Sequence, residues 1–312
     1  MFDELSDIFK TKDGYVRLHT NFPQYVPSIS QTAQSHLHTA HSHKQGLLNI
    51  LQCEPTKAAV ANALAQWSAE EFEAAAFERH LCAAALRSFE TMDKTPHGIY
   101  QTNIHPVSIT KIGEAPKRVL GGDPVGGPRY ALEGIRVLDL TRVLAGPVCG
   151  RTLAGKKNQR LSPVYTHIVT PTSPTQLCVC VIAHGADVLL VTSPHLPSLP
   201  FLDVDTSRGK RTTQLDLDGP ADAETLRALV RDADVFLQAY RPHGLASRGF
   251  GPEDCAALRP GIVHASLTGF SPGGPWQDVK SVGPLSSFSS VLGGVLFVAQ
   301  RMNGGAGGGL VL

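Results

Sequence analysis

From Ile135 to Ser266 the chain alternates short apolar runs with stretches of helical period, and this alternation restricts its fold more than any other feature. The runs Ile135 to Leu140, Val188 to Val191, Thr213 to Leu217, Val235 to Ala239 and Ile262 to Ser266 have the length and β-branched content of strands. Between them, Ala221 to Arg231 places Leu226, Leu229 and Val230 on one helical face, and Pro252 to Leu258 is a second, shorter helix. Strands joined through helices pair in parallel, and an open parallel sheet takes its ligands at the carboxyl ends of its strands. The expectation is an α/β unit with ligand chemistry in the loops after Leu140 and Ala239.

The first block, LEGIRVLDLTRVLAGPVCGRTLA, is the most informative. Its apolar run ends in a turn-forming loop, and Gly146-Pro147 then starts a helix, since proline is tolerated in a first helical turn. A helix N-terminus presents unpaired N–H groups and a partial positive charge, so the loop after Thr141, with Arg142 beside it, suits an anion. GRTLA should then run straight into the strand of HGADVLLV, but residues 155–183 intervene with several prolines, a Thr/Ser-rich centre and no helical period. This stretch reads as an insert, from an intron retained in the gene model, and should loosen the loop that the helix supports. Its Cys178-Val179-Cys180 lacks the second pair that a metal site needs.

Taken in order, GIRVLDLTRVLAGP, GADVLLV, RGKR with LDL, DADVFLQAYRPHGLASRGFG, RPGIVHASLTGF and GGPW resemble the family III coenzyme A transferases, the CaiB/BaiF group, which includes the alpha-methylacyl-CoA racemases. The resemblance implies the parallel-sheet, nucleotide-binding-like core of that fold, preceded by a small, mostly helical α+β unit, with the fold incomplete. It also implies a reaction in which CoA passes between an acyl-CoA and a carboxylic acid through an acyl-aspartyl anhydride, with coenzyme A as substrate and no tightly bound cofactor. Implied coenzyme contacts are Arg142, Leu144 and Ala145 in the first loop, Lys210 and Arg211 in the RGKR element, and Arg248. Where members place a basic residue after the second strand, this chain has Thr192-Ser193-Pro194. The catalytic carboxylate of the family lies beyond the G-P-W element, whereas the last acidic residue here is Asp278, in a Pro-Gly-rich turn. No catalytic residue is therefore assigned, and a chain inactive as written is expected, with an acyl-CoA racemase relative or a non-catalytic CoA-binding fragment as alternatives.

The preceding unit spans residues 1–120. Tyr15 to Thr20 alternates as a strand does, PTKAAVANALAQW is a helix, and Ser68 with Glu71 forms a capping box for a second helix expected to continue to Arg87. Trp67, Phe72 and Phe77 are read as packing residues. Residues 25–43 form an insert whose His36, His38, His41 and His43 lack apolar period and carboxylate partners, so no metal site is assigned. A short strand is expected from Val107 to Ile112, then a linker at 121–132, the coenzyme-binding domain at 133–278 and an aberrant tail at 279–312.

With 28 Lys and Arg against 27 Asp and Glu, the net charge of +1 gives no field that would gather nucleic acid or an anionic membrane, so neither is an expected partner. Six scattered cysteines fit reduced thiols of an intracellular protein, expected in the cytoplasm, with mitochondrion and peroxisome open. The expected partners are the acyl-CoA and carboxylic acid substrates, and a homodimer where the fold is complete.

Overall fold

The computed structural model describes residues 3–21, 43–105, 107–116, 130–154, 184–196, 198–241 and 243–279. The 155–183 insert, all of the 25–43 insert except His43, and the tail from 280 lie outside them. The readings made on Cys178, Cys180, His36, His38 and His41 lie there too. The described residues form two units, one running to Ser108 and resuming at Gly269, the other Ile109–Thr268.

In the first unit, β1 (Ile8–Lys10), β2 (Tyr15–Leu18) and β3 (Ala83–Ala85) make an antiparallel sheet in the order β1-β2-β3. It is accompanied by α1 (His43–Leu51), α2 (Lys57–Leu64), α3 (Ala69–Glu78), α4 (Phe89–Lys94) and α5 (Pro96–Thr102). Alternation along β2 buries Val16 and Leu18 against Leu47, Leu64 and Phe72. Ser68 caps α3 by accepting the Glu71 N–H at 3.2 Å, as its sequence predicts. The helix does not reach Arg87. His80 takes a positive φ of 54° and the Leu81 N–H closes on the Ala76 carbonyl at 2.8 Å, a left-handed stop after which the small alanines enter the sheet. Buried Glu73 then accepts the Ala85 N–H at 2.8 Å and pairs with Arg87. The expected domain boundary at 278 also shifts: from Gly269 the chain belongs to this unit, because Phe270 and Trp276 pack on fully buried His97, with centroids at 5.4 and 4.7 Å.

The second unit contains β4 (Arg136–Leu140), α6 (Ala145–Leu153), β5 (Asp187–Thr192), α7 (Pro200–Thr206), β6 (Arg211–Gln214), α8 (Pro220–Asp232), β7 (Val235–Gln238), α9 (Pro252–Leu258) and β8 (Val263–Ser266). The strands pair in parallel in the order β6-β5-β4-β7-β8. Leu226 and Val230 of α8 pack with Leu138, Leu140, Phe236 and Phe250, as the apolar stripe of that helix requires. β6 lies earlier than Thr213–Leu217. Asp216 accepts the Asp218 N–H and its own N–H goes to Asp222, a turn that ends the ladder. Residues 107–112 form no strand, and Ile109 is 95% exposed.

The chain on either side of 155–183 comes together. Ala154 bridges to Ala186, the Ala186 N–H reaches the Leu153 carbonyl at 3.0 Å and the His184 N–H reaches that of Thr152 at 3.3 Å. Helix α6 is thus closed at its end.

Candidate functional site

Strand order fixes where a ligand fits in the second unit. The chain leaves β4 toward β5 on one side, and β7 lies on the other, so the crossovers diverge between β4 and β7. Beside that crevice are the loops 141–144 and 239–245.

The first loop is held under strain. Val143 has φ 73°, a left-handed conformation that a β-branched side chain adopts at a cost of about 1–3 kcal/mol. It is followed by Leu144 and Ala145, both exposed, and by α6, whose first bond runs from the Val148 N–H to the Leu144 carbonyl at 2.8 Å. The N-cap is Leu144, with no side chain capping the helix, so its first N–H groups face an acceptor from elsewhere. Gly146 is required by packing: a Cβ there would stand 2.5 Å from that of Thr141 and 3.0 Å from that of Ala239.

Beneath the loop lies a buried ion pair. Asp139 and Lys210 have fully buried side chains, with Nζ 2.6 Å from Oδ2. Nζ also donates to the Pro147 carbonyl at 2.8 Å, and the Thr141 hydroxyl donates to the other oxygen of Asp139. Burial pushes the Asp139 carboxyl up from the ordinary carboxylate value, and the ammonium and hydroxyl pull it back. The same burial, with the Asp139 charge, pushes the Cys149 thiol up, away from a reactive thiolate.

The second loop follows Gln238, which is 5% exposed, donates to Ser266 Oγ at 2.8 Å and accepts the Tyr240 N–H at 2.8 Å. Burial raises the Tyr240 phenol, and the nearby Arg142 charge opposes it.

The sequence-predicted contacts fare differently. Arg142, Leu144 and Ala145 surround the loop tip. Arg248, past β7, pairs with Asp218 beyond β6 on the carboxyl side of the sheet. Lys210 is sealed from solvent and turned to Asp139. Arg211 opens β6 level with Leu189 and Leu138, and its guanidinium grips Asp187 through both oxygens at 3.0 and 2.9 Å, below the carboxyl edge.

Two features were missed. Past β5, where the basic residue was absent from the sequence pattern, His195 is exposed and bonds Asp216 at 3.0 Å, which raises its pKa. Asp139, within β4, is the buried anion. An acidic residue inside VLDL was the signal, since a buried charge demands a partner. Among the described residues, no three His, Cys, Asp or Glu side chains converge to hold a metal, and no helix is long and apolar enough to cross a membrane.

The second unit is therefore an open parallel α/β sheet with an anion-suited loop at its switch point. Comparison with known proteins narrows that class. The family model for CoA-transferase family III matches residues 184–305. A succinate–glutarate CoA-transferase of Agrobacterium fabrum is 31% identical over 172 residues, covering 52% of this chain and 39% of the relative. An acyl-CoA transferase of Gibberella moniliformis is 29% identical over 235 residues, covering 72% of this chain and 36% of the relative. Part of the chain is thus similar to the family III CoA-transferases, and the match spans well under half the length of these relatives. The solved structure of a Mycobacterium tuberculosis protein, Rv3272, is 26% identical over 50% of this chain and 38% of that one with a TM-score of 0.37, so the description of the fold rests on the sheet itself.

Proposed function

We propose that this chain binds coenzyme A at the carboxyl edge of its parallel sheet and represents the coenzyme-holding part of a transferase acting between an acyl-CoA and a carboxylic acid. The observation that carries the reading is the Arg142–Ala145 loop at the β4/β7 switch point, strained at Val143 and opening an uncapped helix with arginine beside it. Helix N–H groups and Arg142 would donate charge-assisted hydrogen bonds to the pyrophosphate, with Arg248 and His195 along the same edge. Lys210 and Arg211 leave the list of direct contacts and support the strands that present the loop.

In the reaction that the family implies, a carboxylate of the enzyme attacks the thioester carbonyl, the C–S bond breaks and CoA thiolate leaves, giving a mixed anhydride. The thiolate attacks the enzyme-side carbonyl of the anhydride, its C–O bond breaks, and the donor acid leaves as a carboxylate while the enzyme carries CoA as a thioester. The acceptor acid then exchanges at that thioester by the same two steps. From Val279 to Leu312 the sequence contains no Asp or Glu. A second reading is that this polypeptide binds CoA and does not turn it over. The homodimer and the cytoplasmic setting belong to the same proposal.

Calorimetric titration with CoA, dephospho-CoA and adenosine 3′,5′-bisphosphate tests the binding. Saturable CoA binding that weakens at least tenfold in Arg142→Ala is expected, and an unchanged affinity sinks the assignment of the loop. A parallel assay with succinyl-CoA and glutarate, the pair suggested by the bacterial relative, separates the readings: product formation by this chain would overturn the non-catalytic one.

A further inference from the structure

We propose that Asp139 and Lys210 are positioning residues whose ion pair clamps both ends of the loop that receives the coenzyme; the coenzyme itself rests on the reading above, the clamp does not. On the strand side, the Thr141 hydroxyl donates to Asp139, fixing the residue where the chain leaves β4. On the helix side, Lys210 Nζ donates to the Pro147 carbonyl at 2.8 Å while holding Asp139 at 2.6 Å. A single buried contact therefore spans Arg142 to Gly146, the segment that contains Val143 at φ 73°. A strained backbone persists only where its surroundings over-determine it, and an exposed loop tip cannot do this for itself.

Three further facts fit a clamp. Both side chains are fully buried, so neither is a surface charge waiting for phosphate. The pair is neutral as a unit, so it fixes the loop without competing for the anion. Gly150, one helical turn past Gly146, leaves the space that the pair occupies: a Cβ at that position would fall 2.0 Å from Asp139 Oδ2 and 2.9 Å from Lys210 Nζ. The lysine precedes β6, so the RGKR element acts on the ligand loop from below, through Asp139.

The test replaces both charges together, Asp139→Leu with Lys210→Met, because a buried pair exchanged for apolar groups of similar volume commonly keeps or gains stability. Amide hydrogen exchange in the full chain without ligand is compared with the native protein. The expected result is at least tenfold faster exchange at residues 142–148, with the amides of α8 and β7 unchanged, and CoA affinity reduced tenfold or more. Loop exchange equal to that of the native protein overturns the clamp. If the native chain binds no CoA, the coenzyme reading alone fails and the exchange data still decide. Should the double variant not fold, Thr141→Val keeps the pair and removes only the link to the strand end. Loop exchange at least threefold faster in that variant supports the clamp, and an unchanged rate overturns it.

Discussion

Replacing Gly150 with alanine puts the packing of the ion pair to a quantitative test. In a helix the exchange should help, since alanine is favoured over glycine by about 1 kcal/mol. Here the added Cβ would meet Asp139 Oδ2 at 2.0 Å, about 1.5 Å inside an ordinary contact of about 3.5 Å. Neither partner can swing into solvent, because both side chains are fully buried. Overpacking of this kind costs about 1–3 kcal/mol, and forcing the carboxylate from its ammonium approaches the roughly 3–5 kcal/mol of a broken buried pair. After subtracting the helix gain, the expected loss is about 2–4 kcal/mol, which for a unit of this size lowers Tm by about 5–15 °C. Thermal unfolding followed by circular dichroism reads it, with Gly113→Ala as control, since a Cβ there meets nothing within 4 Å. A Gly150→Ala protein as stable as the native one, or more so, would show that the pair is not packed against α6 as described.

Other perturbations test other parts. Burial lowers the pKa of His97 from 6.5 to about 4, so the unfolded chain takes up the proton first and this histidine contributes stability that is full above pH 6.5 and lost as pH falls toward 4. On the order of 3 kcal/mol is at stake. His97→Phe should flatten that part of the pH dependence, followed by fluorescence of Trp67 and Trp276, and an unchanged slope refutes it. Leu226→Ala, at a fully buried position of α8, should cost about 2–5 kcal/mol by calorimetry, and a loss below about 1 kcal/mol would contradict its place in the core. Ser68→Ala, which removes the cap of α3, should cost about 1 kcal/mol in urea denaturation with little change in m-value; no loss would mean that the Glu71 N–H finds another acceptor.

What the sequence disclosed follows from the range of the forces involved. The inner strands β4, β5 and β7 of the parallel sheet are largely buried, so their apolar runs are continuous and their positions legible to within a few residues, whereas the edge strands β6 and β8 are largely exposed. α8 and α9 show their cores and boundaries in the same local way. Failures came where a distant residue decides. The stretch after Glu78 keeps helical composition, yet Ala83–Ala85 becomes a strand because β2 offers an open edge and Glu73 receives the Ala85 N–H. Val107 to Ile112 has strand composition and lies free of any sheet among the described residues.

The site divides along the same line. A strand, a loop and a Gly-Pro helix start are local, and the sequence placed them where β4 and α6 lie. The roles of the basic residues are not local, because a cation is a ligand or a strut according to what stands within about 3 Å of it. Lys210 and Arg211 are neighbours in sequence and were given one role; the fold turns one under α6 to Asp139 and the other outward to Asp187. A charge facing a buried acid is committed before any phosphate arrives, whereas the N-terminus of α6, near Arg142 in sequence, lacks a side-chain cap. The acid buried in VLDL should therefore be read first in a loop of this kind, because it determines which cation is withdrawn from ligand binding.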